Sequence, residues 1–300
     1  MNEKAPPSPL LLHGDCLQTL PVITEKVGHA ELIYVDPPYN AGGSRGARQA
    51  QGPRSEGEVA YRDAWGGLGG FLSMMKPRLA AMRDALSAEG SLWVHLDHRT
   101  IHDIKVLADQ IFGPECFQGE VIWVPGNGGR RRNGPPMTHQ TILIFSRTKN
   151  FIYNSKAPEL REPYAETSRK MHFSKVDENG RRYRERVINE KAYRYYEDEG
   201  RMRGSVWSDI PSMQANTPLR KETTGYPTQK PEALLKRIIA AASLPNGLVI
   251  DPMCGSGTTL AAALKSGRRA AGGDISPISI EVVEKRLSTK HSSTPQPEGF

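Results

Sequence analysis

Residues 247–274 constrain the fold more than any other stretch of this 300-residue chain. Gly247-Leu-Val-Ile-Asp251 is a short apolar run that reads as a buried strand. It breaks at Pro252 into Met253-Cys-Gly-Ser-Gly257, and Leu260-Ala-Ala-Ala-Leu264 opens a helix. Glycines at such a turn let backbone approach a ligand closely, and the helix amino terminus supplies free N–H groups. Roughly twenty residues beyond Asp251, Arg269-Ala-Ala-Gly-Gly-Asp274 is a second short strand ending in an acid, a spacing at which the acid can accept ribose hydroxyls. Strand, turn, helix and acid-tipped strand together predict an α/β fold that binds a nucleoside-type cofactor. The glycines are not followed by Lys-Ser/Thr, which argues against a triphosphate-binding P-loop.

A second constraint lies near the amino terminus. Glu31-Leu-Ile-Tyr-Val35 reads as another buried strand, and Asp36-Pro37-Pro38-Tyr39-Asn40 follows at once. Two prolines cannot extend a strand, since each lacks an N–H and fixes its own φ. The chain must leave the sheet at Asp36, placing a carboxylate, unpaired carbonyls and an aromatic ring at a strand's carboxyl end. Open α/β sheets bind ligands there, and an acceptor cluster beside a ring suits a flat nitrogenous group.

Taken in order, these motifs resemble the exocyclic-amino DNA methyltransferases that use S-adenosylmethionine, in the permuted (beta-class) arrangement with the catalytic motif before the cofactor motif. Asp36-Pro-Pro-Tyr39 resembles their catalytic motif and Asp251-Pro-Met-Cys-Gly-Ser-Gly257 their cofactor loop. Tyr226-Pro-Thr-Gln-Lys-Pro-Glu-Ala-Leu-Leu-Lys-Arg-Ile238 is similar to the segment preceding their cofactor strand, and Leu11-Leu-His-Gly-Asp15 to their amino-terminal strand. Met253 departs from the phenylalanine more usual in the family, although a thioether can fill the same apolar wall. The resemblance implies a Rossmann-like, mostly parallel sheet with an antiparallel edge hairpin. It implies Asp36, Pro37, Pro38 and Tyr39 as the catalytic group. For S-adenosylmethionine it implies Asp251, Met253, Cys254, Gly255, Gly257 and Asp274, with Thr228 and Lys230 on the adjoining loop. Asp15 reads either as a boundary of the cofactor or base site or as a helix cap.

The expected organisation is a catalytic half over 1–149, a target-recognition region over 150–222, a cofactor-binding half over 223–290 and a flexible tail over 291–300. Within the first half, residues 41–70 are rich in Gly, Arg, Gln and Ser and predict a mobile loop that could close over substrate. Helices are expected over 71–88 and 101–112. Strands are expected over 91–96, 120–124 and 140–145, the last two pairing as the hairpin. The net charge of +7 favours a polyanionic partner. Arg130, Arg131 and Arg132 on a glycine-rich loop suit a phosphate clamp and equally a solvated turn. Arg181, Arg182 and Arg184 alternate with tyrosines, which suits DNA contact or a charged face.

Cys16, Cys116 and Cys254 are too scattered for a disulfide framework or a zinc site. No apolar run approaches the ~18 residues of a spanning helix, so a soluble protein of the bacterial cytosol is expected. The implied partner is double-stranded DNA, with a homodimer and a cognate restriction enzyme as further expectations from the resemblance. Asp at the head of the motif favours adenine N6 as the acceptor, with cytosine N4 the alternative; an RNA or protein-amide N-methyltransferase is disfavoured, because those relatives typically begin the motif with Asn. The reaction needs no metal, because the sulfonium methyl is already electrophilic, and it needs no imidazole. His95, His98 and His139 are therefore read as structural or DNA-facing. Ser256 and Thr258 are expected to cap the helix after the glycine turn.

Overall fold

Strand Ala30–Val35 shows why the sheet forms where it does: five of its six residues are buried, as both faces of a central strand must be. The computed structural model describes residues 8–46, 59–126, 131–213 and 222–288. The chain begins β1 (Leu10–His13), α1 (Cys16–Val27), β2 (Ala30–Val35), β3 (Ser44–Gly46) and β4 (Val59–Arg62). It continues α2 (Leu68–Ala85), β5 (Leu86–Leu96), α3 (Ile101–Phe112), β6 (Phe117–Trp123) and β7 (Gln140–Ser146). An inserted portion holds β8 (Arg161–Glu162), α4 (Glu166–His172), β9 (Lys175–Val176), β10 (Arg182–Ile188), β11 (Lys191–Tyr196) and β12 (Arg201–Met202). Last come β13 (Val206–Trp207), α5 (Glu232–Ala242), β14 (Leu248–Asp251), α6 (Thr258–Lys265), β15 (Arg269–Asp274) and α7 (Pro277–Ser288).

The main sheet has the order β1-β15-β14-β2-β5-β7-β6-β13. The first five strands are mutually parallel, and β7 runs antiparallel to both β5 and β6. From β2 the chain moves outward on one side to β5, while from β14 it moves outward on the other side to β15. The junction of β2 and β14, with Ile33 opposite Ile250, is therefore the topological switch point. Two motifs some two hundred residues apart in sequence leave the sheet side by side there.

Alternate residues of a strand face opposite sides, and both sides are covered. Ile33, Val35, Leu92 and Val94 meet Leu20 of α1, Met75 and Leu79 of α2 and Ile104 of α3. On the opposite side, α5 packs on β2 and against α6. α1 buries Cys16, Thr19, Leu20 and Ile23, the i, i+3, i+4, i+7 stripe of a helix lying on a sheet.

Three departures from the sequence expectations have local causes. β5 begins at Leu86 and α2 ends at Ala85, because Leu86 is buried opposite Ala30 and a register shift separates this pairing from the rest. A Cβ on Gly90 would lie 2.4 Å from the Ala30 carbonyl oxygen, so a glycine occupies the irregular segment. The β6–β7 hairpin forms as expected but is not the sheet edge. β13 adds in parallel outside β6, with Trp207 beside Trp123, whose indole N–H donates to the Ile210 carbonyl at 2.8 Å. Finally, residues 41–70 include the β3–β4 ladder and the start of α2, not loop alone; their described backbone groups find partners in each other. The expected tail, 291–300, lies outside the described residues.

Asn154–Gly204 forms a second compact unit, narrower than the expected 150–222 because Val206-Trp207 belongs to the main sheet. It contains a three-stranded sheet, β11-β10-β9, and a two-stranded one, β12-β8. Leu160, Tyr164, Phe173 and Tyr183 are buried within it.

Candidate active site

The catalytic motif emerges from β2 as the prolines require. The Asp36 carboxylate is bound on both oxygens: Oδ1 accepts the Tyr39 hydroxyl at 2.6 Å and Oδ2 accepts the Lys230 ammonium at 2.5 Å. Lys230 is buried, and its Nζ lies 5.2 Å from the Tyr39 ring centroid. Thr228, two residues earlier, has φ +58, the sharp turn by which this loop is aimed into the site. Asp15 is a helix cap that also stands on the cavity wall. It caps α1 by accepting the Leu17 N–H at 2.9 Å, and it borders the cavity, held there by an ion pair with Arg78.

The cofactor motif arrives from β14 and β15. Asp251 is buried and accepts the Thr259 hydroxyl at 2.5 Å and the Met253 N–H at 3.2 Å. Burial above all, with the charges of Asp36 and Asp274, pushes its carboxyl up to about 7. Asp274 accepts the Gly255 N–H at 2.8 Å on one oxygen and the Ser276 N–H at 2.9 Å on the other. Burial raises this carboxyl too. Gly255 has φ +48, and a Cβ there would lie 3.1 Å from the Tyr226 ring. A side chain at 255 would crowd the mouth that Tyr226 shares.

Two expectations at this turn are corrected. Gly257 is not on the cavity wall; it takes φ +69, and a Cβ would sit 2.7 Å from the Val283 side chain of α7. Its role is close helix packing. Ser256 and Thr258 do not cap α6, whose N-cap is Gly257 with no side-chain bond. Their hydroxyls pair with each other at 3.0 Å, and Arg286 donates to Thr258 Oγ1 at 2.9 Å, tying the turn to α7.

These groups surround one cavity of about 480 Å³, within the size range of small-molecule sites. Asp36, Tyr39, Lys230, Asp251, Met253 and Asp274 all line it, as do Asp15, Thr228, Cys254 and Gly255. Burial holds the Cys254 thiol well above its ordinary value and pushes the Cys16 thiol up to about 12, which disfavours the thiolate of each. Sequence reasoning passed over Tyr34, Asp63, Trp65 and Arg78, which also line the wall. Their signal is purely tertiary: Arg78 stands 63 positions from Asp15. His95 is structural, its Nδ1 within 2.8 Å of the Tyr34 hydroxyl, and burial holds its imidazole well below the ordinary value.

S-adenosylmethionine is a nucleoside carrying a cation, and this wall fits it. Two buried carboxylates with raised proton affinity, Asp251 and Asp274, are poorly compensated by the protein and would gain from a positive charge. Gly255, whose missing side chain leaves room for the Tyr226 ring, brings the loop backbone against Asp274.

The basic residues fare differently. Arg181 donates to both oxygens of Asp198 at 2.9 Å and lies 3.9 Å from the Tyr196 ring centroid. Arg182 donates to the Phe173 carbonyl at 3.0 Å and pairs with Glu197 at 3.3 Å. Arg184 stacks near Tyr164, Phe173 and Tyr195. The alternation of arginine and tyrosine that suggested DNA contact thus also makes bonds within the inserted unit, with Arg181 and Arg182 still partly exposed. Arg131 and Arg132 are exposed, while Arg130 lies outside the described residues.

The family model N6_N4_Mtase, described as DNA methylase, matches residues 30–285. Type II methyltransferase M.EcaI of Enterobacter cloacae is 29% identical over 86% of this chain, which spans 65% of that protein. DNA adenine methyltransferase YhdJ of Escherichia coli (strain K12) is 28% identical, over 92% of this chain and 82% of that one. Among solved structures, the M1.HpyAVI-SAM complex superposes with a TM-score of 0.55 at 18% identity, covering 93% of this chain and 99% of that one. PvuII DNA methyltransferase (cytosine-N4-specific) gives 0.57 at 15% identity, covering 96% and 94%. Both structures share the fold. With its acid-tipped switch point, its glycine turn and a family match across most of its length, the chain belongs to the N6_N4_Mtase family of DNA methylases.

Proposed function

We propose that the chain transfers a methyl group from S-adenosylmethionine to the exocyclic amino group of a base flipped out of duplex DNA, with adenine N6 as the acceptor. The observation that carries this reading is the meeting of Asp36 with Asp251 and Asp274 in one cavity at the switch point. An exocyclic amino nitrogen is a poor nucleophile because its lone pair is delocalised into the ring. Accepting its N–H bonds at Asp36 and the Pro37 carbonyl favours the tetrahedral nitrogen that attack requires. A carboxylate offers about four acceptor sites, so Asp36 has room for this bond beside Tyr39 and Lys230. The Tyr39 ring offers a stacking face to a base that cannot be reached inside a duplex. When bound, S-adenosylmethionine supplies an electrophilic methyl on a sulfonium; Asp251, Asp274 and Gly255 would hold it. The methylated nitrogen is cationic and sheds its proton to solvent, so Asp36 need not keep it.

The adenine assignment is supported by Asp at the head of the motif and by the relative named as an adenine methyltransferase. The inserted unit over 154–204 is the candidate reader of sequence, with Arg131 and Arg132 as phosphate contacts. Type II relatives make a restriction-modification setting with a cognate nuclease part of the same reading, and a homodimer is carried over from the family resemblance. Duplex DNA incubated with methyl-labelled cofactor, digested to nucleosides, tests it. Label in N6-methyladenine is expected. Label in N4-methylcytosine would overturn the base assignment, and no label in DNA would overturn the function.

A further inference from the structure

Directly after the catalytic motif, the chain makes a turn whose geometry depends on one distant side chain. Asp63 is 2% exposed. Its Oδ1 accepts the Asn40 N–H at 2.7 Å and its Oδ2 accepts the Ala41 N–H at 3.1 Å. Its backbone completes the clasp: the Asp63 carbonyl accepts the Gly42 N–H at 2.9 Å, and its own N–H donates to the Gly43 carbonyl at 2.8 Å. Asn40 sits at φ +56, in the left-handed region that asparagine adopts more readily than most other non-glycine residues. The Asn40 and Ala41 amides both donate to this buried carboxylate, one to each oxygen, and so contribute to its charge compensation.

We propose that Asp63 is a positioning residue for methyl transfer. Its carboxylate pins the Asn40–Ala41 turn and thereby sets where Tyr39 and the proline carbonyls stand relative to the acceptor amino group. The inference rests on the reading of Asp36-Pro-Pro-Tyr39 as the amino-binding motif. Although Asp63 lines the cavity, both its carboxylate oxygens are taken by backbone amides, and it is assigned no contact with a reacting atom. It acts through the Tyr39–Asn40 peptide, whose N–H it holds, and the Tyr39 hydroxyl in turn is bonded to Asp36. A neutral amide cannot substitute: in Asp63→Asn one position becomes an N–H donor facing a backbone N–H donor.

The test compares the whole protein with its Asp63→Asn variant in steady-state kinetics on duplex DNA and in calorimetric titration with S-adenosylmethionine alone. Since small misplacements of a reacting group cost up to about 100-fold, Asp63→Asn should lower kcat by roughly 10- to 100-fold. The cofactor dissociation constant should change less than about threefold, because neither Asp251 nor Asp274 bonds to Asp63. An unchanged kcat, or a cofactor affinity falling in step with kcat, would overturn the proposal, the latter marking general loosening. Should the variant not fold, amide hydrogen exchange on the wild-type protein decides. Protection of Asn40 and Ala41 supports the clasp, and exchange at the unstructured rate refutes it. A wild-type protein that labels no DNA would instead indict the function itself, whatever Asp63 does.

Discussion

Replacing Asp251 with asparagine should make the ligand-free protein more stable, and increasingly so as pH rises. The folded carboxyl keeps its proton up to about pH 7, against an ordinary value of 3.8. Folding therefore takes up a proton between those values, and stability falls as pH climbs through that window. Fully ionised, the buried carboxylate costs folding up to about 4 kcal/mol, the span from 3.8 to about 7 at ~1.4 kcal/mol per pH unit. Asparagine removes this cost with little local damage. Its amide oxygen can accept the Met253 N–H, and its amide nitrogen can donate to the Thr259 hydroxyl, which accepts as readily as it donates. Asp274 is also raised, but it is present in both proteins and cancels in their difference. Urea unfolding of both proteins at pH 5 and pH 8 reads the effect. The stability difference should be about 2 kcal/mol at pH 5, already inside the window, and widen in favour of Asp251→Asn to about 4 kcal/mol at pH 8. Parallel pH profiles would refute the account of Asp251 as an uncompensated buried acid. The same account makes wild-type cofactor binding release protons near pH 6, since a sulfonium favours the ionised carboxyl, and calorimetry in buffers of different ionisation enthalpy would detect them.

Other substitutions probe the division of labour. Asp36→Ala should abolish methyl transfer while leaving cofactor affinity nearly intact; equal loss of both in activity and binding assays would contradict it. Asp274→Ala strips the Gly255 and Ser276 amides of their acceptor, each at about 1–3 kcal/mol, and should weaken cofactor binding measured by calorimetry. Gly257→Ala should lower thermal stability by roughly 1–3 kcal/mol through its positive φ and collision with Val283; an unaltered melting temperature would show that α7 yields. Replacing Arg130, Arg131 and Arg132 together should flatten the salt dependence of DNA binding by up to about 0.9 in log–log slope per lost phosphate contact. An unchanged slope would return that loop to a solvated turn.

Local physics made the two key motifs readable. An apolar run halted by two prolines can only be a strand end, and an apolar run opening through glycines into an alanine-rich helix can only be a strand–turn–helix. β2, β14, α6 and β15 follow from these constraints, as do the family resemblance and the cavity residues Asp36, Asp251, Gly255 and Asp274. The β3–β4 ladder escaped because its residues carry too little apolar periodicity to betray a strand. β13 escaped because two residues have no periodicity at all.

By itself, then, the sequence determined which short segments form strands, where they must stop, and which acids stand at their ends, because these depend on neighbours within a few residues. Only the tertiary structure decided what those acids face. It brings Lys230 to Asp36 across 194 positions and Asp63 to the turn after Tyr39, and it sends Gly257 to α7 instead of the cavity. It also turns Arg181, Arg182 and Arg184 toward acids, a carbonyl and rings of their own unit. Composition cannot tell which arginines also have partners within their own unit, because charge announces what a side chain can bind and packing decides what lies beside it.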